Sequence, residues 1–196
     1  MKPVPTIYFI RHGETDWNAA RRYQGQADIP LNEKGRAQAK RNGLALCALL
    51  PAIAQAQFVA SPLSRTLETM RIVRHELGLA ADKFSIDPRL IELNYGHWEG
   101  QLASDLPKTD PDGLAARAAD PYNWRPQGGE NYHDLSQRLL SWLGDLKGPC
   151  VVVSHGGVSR ALRGLLNENV RRAEIAQLDV PQDRILKIED GQLSWL

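Results

Sequence analysis

The 196-residue chain holds only two cysteines, Cys47 and Cys150. Cys47 falls in a helical run and Cys150 at a strand start, both among apolar neighbours, so neither a disulfide framework nor a zinc site is indicated, and both read as core residues. Net charge is equally scarce: 24 Lys and Arg against 23 Asp and Glu leave +1, which supplies no overall field to attract nucleic acid or an acidic membrane surface. No run is long and apolar enough to span a bilayer. Met1 to Thr6 carries one charge before a short apolar stretch already spent on the first strand, so no secretory signal is visible and a cytoplasmic location is expected. Internal repeats and low-complexity segments are absent. What remains, 42% hydrophobic and 24% charged residues, suits one compact domain over 1–196 with a sizeable core.

Three strand-to-helix turns stand out. Thr6-Ile7-Tyr8-Phe9-Ile10 ends directly in Arg11-His12-Gly13-Glu14-Thr15. Gln57-Phe58-Val59-Ala60 leads into Ser61-Pro62-Leu63-Ser64-Arg65 and a helical run from Thr66 to Val73, and Cys150 to Val153 leads into Ser154-His155-Gly156-Gly157 and a helical run from Val158 to Leu166. Continuous β-branched and aromatic runs followed by amphipathic helices predict an α/β fold with a mostly parallel central sheet and helices on both faces. Open α/β sheets place ligands at the carboxyl ends of their strands. If these strands are neighbours, Arg11, His12, Arg65 and His155 converge.

Between the turns, Ala19 to Leu31 is polar and irregular. Asn32 caps a helix that stops before Pro51, Gly78 ends the helix beginning near Arg65, and Phe84-Ser85-Ile86 forms a short strand before Pro88-Arg89-Leu90-Ile91-Glu92-Leu93. About 101–129 is an insertion, broken by Pro107, Pro111, Pro121 and Pro126 into short helical and irregular pieces, and reads as a wall or lid over the active site. Asn131 caps the next helix. Arg184 to Trp195 alternates on both sides of Asp190-Gly191, a hairpin with a type I′ turn.

Concentrated basic groups at strand ends predict a phosphate site. Arg11 and Arg65 can each present a planar fork of donors to a phosphoryl group, with backbone N–H groups at helix amino termini adding to them. A histidine attacks phosphorus only through a neutral ring nitrogen, and Arg11, Arg65 and His155 would hold His12 in that state. His155 would steady the oxygens of the transition state, while Gly156 lets backbone approach. Glu92, with apolar flanks that exclude water, leads Glu14 and Asp16 as donor of a proton to the leaving oxygen. Ion pairing of Arg11 or Arg65 with Glu14 or Glu68 is the competing structural reading. His75, His97 and His133 show no comparable pattern, and no His-x-x-x-His spacing suggests a metal.

Arg11-His12-Gly13-Glu14-Thr15 with Asn18, then Gln24-Gly25, Asp28, Pro30-Leu31, Gly35, Gln38-Ala39, Ser61-Pro62-Leu63-Ser64-Arg65-Thr66, Glu92 before Gly96-His97-Trp98-Glu99-Gly100, and Ser154-His155-Gly156 together resemble the histidine phosphatase superfamily, phosphoglycerate mutase-like branch. The resemblance implies a three-layer sandwich, a phosphohistidine on His12, a phosphate pocket completed by Arg11, Arg65 and His155, and Glu92 as proton donor. Asn18, Gln24, Gly25 and Gly156 would line the phosphate or substrate side. No metal or organic cofactor is implied. Glycolytic mutases of the family carry a longer insertion with adjacent basic residues for the substrate carboxylate, whereas 101–129 offers only scattered Lys108, Arg117 and Arg125. The chain is therefore expected to be a phosphomonoester hydrolase of the small, α-ribazole phosphatase-like, histidine acid phosphatase type. A small phosphorylated metabolite is the expected partner, with no nucleic acid and no membrane. Oligomeric state stays open, a homodimer among the alternatives, as do mutase-type phosphoryl transfer and a binding protein on the same fold.

Overall fold

The computed structural model describes residues 4–49, 53 and 55–196. Six strands form one sheet: β1 (Ile7–Arg11), β2 (Gln57–Ala60), β3 (Ser85–Ile86), β4 (Cys150–Ser154), β5 (Ile185–Glu189) and β6 (Gln192–Trp195). Their order is β3-β2-β4-β1-β5-β6. β3, β2, β4 and β1 run parallel, and β5 and β6 close the β1 edge antiparallel. The sheet is thus mostly parallel, and the β5–β6 turn has Asp190 and Gly191 both at positive φ, as a type I′ turn requires.

Alternate residues of each central strand feed opposite cores. Tyr8, Ile10, Val151 and Val153 pack against Leu46 of α2 (Glu33–Cys47) and Met70 and Val73 of α3 (Ser64–Glu76). Ile7, Phe9 and Val152 pack against Leu135, Leu139 and Trp142 of α6 (Tyr132–Asp145) and Val158 and Leu162 of α7 (Gly156–Leu166). Both faces are covered, so the near-continuous apolar strands are buried on each side. Asn32 caps α2 through Gly35 N–H, and Asn131 forms a capping box with Asp134 on α6, satisfying amide groups that a helix start leaves orphaned. α2 ends at Cys47, before Pro51 as expected. Both cysteines are free, Cys150 being buried.

Two sequence expectations shift. The strand before Glu92 has only two paired residues, because Asp87 caps a 3-10 turn over Pro88–Leu90 that takes the chain off the sheet edge; proline has no N–H to continue a ladder. α7 starts two residues earlier than expected, with His155 itself at the N-cap. The insertion folds into two short helices, α4 (Leu106–Thr109) and α5 (Pro111–Ala119). It also anchors the loop after α1 (Asp16–Ala19): Tyr23 N–H donates to Gln101 O, while Gly100 and Ala103 N–H donate to Tyr23 and Arg21 carbonyls.

Candidate active site

Because β4 lies between β1 and β2, the three strand-end turns meet at one edge of the sheet, with Arg11 in register beside Ser154. A cavity of about 130 Å³ opens there, lined by Arg11, His12, Asn18, Gln24, Gly25, Arg65, Glu92 and Gly156, together with Arg22, Tyr23, Tyr95 and Arg160. His155 stands behind it, fully buried, its ring centroid 5.2 Å from that of His12. All nine residues singled out from the sequence therefore gather at one place. A larger shallow depression of about 960 Å³ lies at the other end of β2, around Gln57, Phe58 and Arg74. None of these groups reaches it.

Each side chain has a local reason for its position. His12 Nδ1 lies 2.7 Å from Gly13 O, so the ring proton sits on Nδ1 and the lone pair on Nε2. The turn that carries it packs backbone to backbone on the start of α2: a Cβ on Gly13 would stand 2.1 Å from Gly35 O. Arg65 donates to Gly25 O at 2.8 Å and Ala27 O at 2.7 Å, which fixes its guanidinium beneath the 24–28 loop. Gly25 has φ +52°, the left-handed region open to glycine. Arg11 donates to Val180 O at 2.7 Å. The Nε atoms of both Arg11 and Arg65 are buried without a protein partner. Buried donors left unpaired are costly, so an anion that accepts from them fits the cavity chemically.

The histidines are held neutral. Burial, then Arg65 and Arg11, push His12 well below its ordinary value, outweighing the bond to Gly13. His155 is driven the same way by burial, Arg65, His12, Arg11 and Arg138. Burial also lowers Arg65 to about 10, against the opposing pull of Glu92, and lowers Arg11, with Arg160 adding repulsion. His155 Nε2 is 2.6 Å from Ser61 Oγ; with the hydroxyl donating, the ring proton sits on Nδ1, which has no protein partner.

Glu92 is the one carboxylate in the cavity lining. Its Oε1 accepts from Leu93 N–H at 2.9 Å and its Oε2 from Gly157 N–H at 3.2 Å, in the first turn of α7. Arg138 and Gln26 hold its carbonyl. A Cβ on Gly157 would stand 2.4 Å from Glu92 Oε1. Gly157→Ala is expected to displace the carboxylate without unfolding the protein, since the clash is with a flexible side-chain end and alanine favours the helix. A misplacement near 1 Å costs about 10²-fold in rate. Melting curves and turnover of an alkyl phosphate check this; an unchanged rate would show that Glu92's exact position is immaterial.

The competing ion pairs do not form. Glu14 binds Lys34 at 2.7 Å and Glu68 binds Arg36 at 2.6 Å. His97 pairs with Asp110 at 2.9 Å and His75 is exposed. Asn18 reaches the cavity wall, but its Oδ1 is committed to Thr15 N–H at 3.2 Å. Gln182 Nε2 bridges that same oxygen and His12 O, each at 3.1 Å. Gln182, Ser61, Arg22, Tyr23, Tyr95 and Arg160 were not singled out from the sequence. Only Arg160 had a local signal, four residues after Gly156 on one helix face.

The family model for the histidine phosphatase superfamily, branch 1, matches residues 7–195. The chain belongs to that superfamily. A glucosyl-3-phosphoglycerate phosphatase of Mycolicibacterium vanbaalenii is 32% identical over 83% of this chain and 74% of its own length. A protein of Erwinia tasmaniensis provisionally named phosphoglycerate mutase GpmB is 32% identical over 97% of this chain and 87% of its own. Among solved structures, one from Escherichia coli K-12, provisionally described as an alpha-ribazole-5'-P phosphatase, superposes with TM-score 0.78 at 28% identity, covering 98% of this chain and 95% of that one. This member of the histidine phosphatase superfamily thus shares its α/β fold with phosphatases, and its sequence with both phosphatases and mutases. Among the described residues, no helix is long and apolar enough to cross a membrane, and no three metal-ligating side chains cluster.

Proposed function

We propose that the protein hydrolyses small phosphomonoesters through a covalent phosphohistidine on His12. The observation that carries this reading is a buried, neutral His12 whose Nδ1 is tied to Gly13 O, leaving Nε2 free in a cavity shared with Arg11, Arg65 and Glu92. In the first half-reaction Nε2 attacks phosphorus, the ester P–O bond breaks, and Glu92 gives its proton to the leaving oxygen. In the second, Glu92 takes a proton from water, the oxygen of that water attacks phosphorus, and the P–N bond breaks to release phosphate. Arg11 and Arg65 neutralise the oxygens that gain charge between these states, and the unpartnered Nδ1–H of the neutral His155 donates a hydrogen bond toward them. Gln24, Gly25, Asn18 and Gly156 shape the phosphate side.

Water as final acceptor is favoured over a second phosphoryl acceptor by the insertion. Arg125 is paired with Asp134 at 2.6 Å, Arg117 donates to Tyr23 Oη at 2.7 Å, and Lys108 is exposed. No adjacent basic pair there is free to hold a mutase substrate. The full-length relation to the Erwinia tasmaniensis protein makes phosphoglycerate mutase chemistry the reading to test against. The depressed pKa of His12 keeps the nucleophile neutral below the ordinary histidine range, which supports the acid phosphatase type. Nitrophenyl phosphate turnover is expected, with no loss of kcat/KM from histidine protonation as pH falls through 6.5. Conversion of 3-phosphoglycerate primed with 2,3-bisphosphoglycerate, without net phosphate release, would replace the phosphatase reading with the mutase one.

A further inference from the structure

We propose that Arg138 and Glu130 are positioning residues for the proton donor: as an ion pair they brace the backbone on both sides of Glu92 and so keep its carboxyl group aimed at the leaving oxygen. This rests on the phosphomonoesterase reading and extends it to residues outside the cavity.

The brace answers a structural need. Asp87 N–H still donates to Ala60 O, but the chain then leaves the sheet through the 3-10 turn over Pro88–Leu90. Beyond that point its carbonyls must find partners other than a neighbouring strand. α6 supplies them along one face, where Arg138, Ser141 and Asp145 follow at three- and four-residue spacing. Arg89 donates to Ser141 Oγ at 3.1 Å and to Asp145 Oδ2 at 2.6 Å. Arg138 takes the carbonyls, with Nη1 donating to Arg89 O and Nη2 to Glu92 O at 3.2 Å.

Glu130 grips the other side. Its Oε2 accepts from Asn94 N–H at 3.0 Å, and its own N–H donates to Asn94 O at 2.8 Å. The end of the insertion lies backbone to backbone on this segment, since a Cβ on Gly129 would stand 2.5 Å from Asn94 O. Arg138 then joins the two grips by a side-on pair, Nε to Glu130 Oε1 at 3.3 Å and Nη2 to Oε2 at 3.2 Å. The two side chains are only 17% and 26% exposed, so solvent screens the pair less than it would on an open surface. The amides that hold the Glu92 carboxylate, those of Leu93 and Gly157, belong to different elements. A shift of the 92–94 backbone would break their common hold. Neither Arg138 nor Glu130 lines the phosphate cavity, so their effect on turnover passes through Glu92.

Two leaving groups and one exchange measurement on the whole protein test the role. In Arg138→Met, kcat/KM for ethyl phosphate is expected to fall about 10–10²-fold, the scale of a misplacement near 1 Å, while nitrophenyl phosphate, which needs little protonation, stays within about threefold. Glu130→Gln, which keeps an acceptor for Asn94 N–H and loses the charge, should show the same pattern more weakly, and Arg138→Lys should recover part of the loss. Added to Glu92→Gln, Arg138→Met should change the ratio between the two substrates by less than about twofold, because no transferable proton is left to misplace. Amide hydrogen exchange reads the brace without turnover: Leu93 and Gly157 are expected to exchange about tenfold faster in Arg138→Met, with the amides of β1 and β4 unchanged. Equal losses on both substrates would overturn the proposal, as would wild-type exchange at Leu93 and Gly157. A wild-type protein that turns over neither substrate, with those two amides released in Arg138→Met, would sink the phosphomonoesterase reading and leave the brace on Glu92 standing.

Discussion

His12→Ala is expected to abolish phosphoenzyme formation and reduce turnover by on the order of 10⁴-fold or more. The size follows from the geometry: no other side chain in the cavity offers a neutral ring nitrogen, because His155 commits Nε2 to Ser61 and lies behind the lining. The substitution leaves a small void behind the β1 turn. Its surroundings are set by backbone contacts, Gly13 against Gly35 and His12 N–H on Ser154 O, so the fold should survive. Acid-quenched protein after incubation with labelled aryl phosphate is the direct measurement. A mutant that still traps label on a histidine would move the nucleophile elsewhere.

Glu92→Gln is expected to separate leaving groups. Alkyl phosphates, whose alkoxide must be protonated as it departs, should lose about 10²–10⁴-fold in kcat/KM, whereas nitrophenyl phosphate, whose leaving group is stable as an anion, should lose far less. Glutamine keeps an oxygen able to accept from Leu93 or Gly157 N–H, so positioning is largely retained while the transferable proton is removed. Equal losses on both substrates would reduce Glu92 to a structural support. Gly157→Ala should shift the same discrimination by moving the carboxylate instead of neutralising it.

How much of this is legible in the sequence depends on sequence distance. Strands, caps and the final hairpin are written in local chemistry: β-branched runs, Asn32 and Asn131 before helices, Asp190-Gly191 at a tight turn. The meeting of Arg11, His12, Arg65 and His155 was readable as a conditional, and strand order β2-β4-β1 supplies the condition. The cavity's remaining wall was not. Tyr23 and Arg22 face inward because backbone pairing with 100–103 turns their loop, and Gln182 reaches His12 O from 170 residues away. No local pattern encodes such contacts. The 3-10 turn ahead of Glu92 was missed because a proline after a short apolar run reads equally as the end of a strand.

The place of β1 in the sheet has a consequence for how the site comes into being. β1, which delivers Arg11 and His12, is flanked by β4 and β5, with Ile7 opposite both Cys150 and Ile188. The segment between α7 and β5 then clasps the site through Val180 O on Arg11 and Gln182 on His12. β1 therefore gains its neighbours only from segments some 140 to 180 residues further along, so the nucleophile's pocket cannot close until those distant segments are in place. Such long-range pairing favours slow folding, and the catalytic pocket is among the last parts of the fold to be completed.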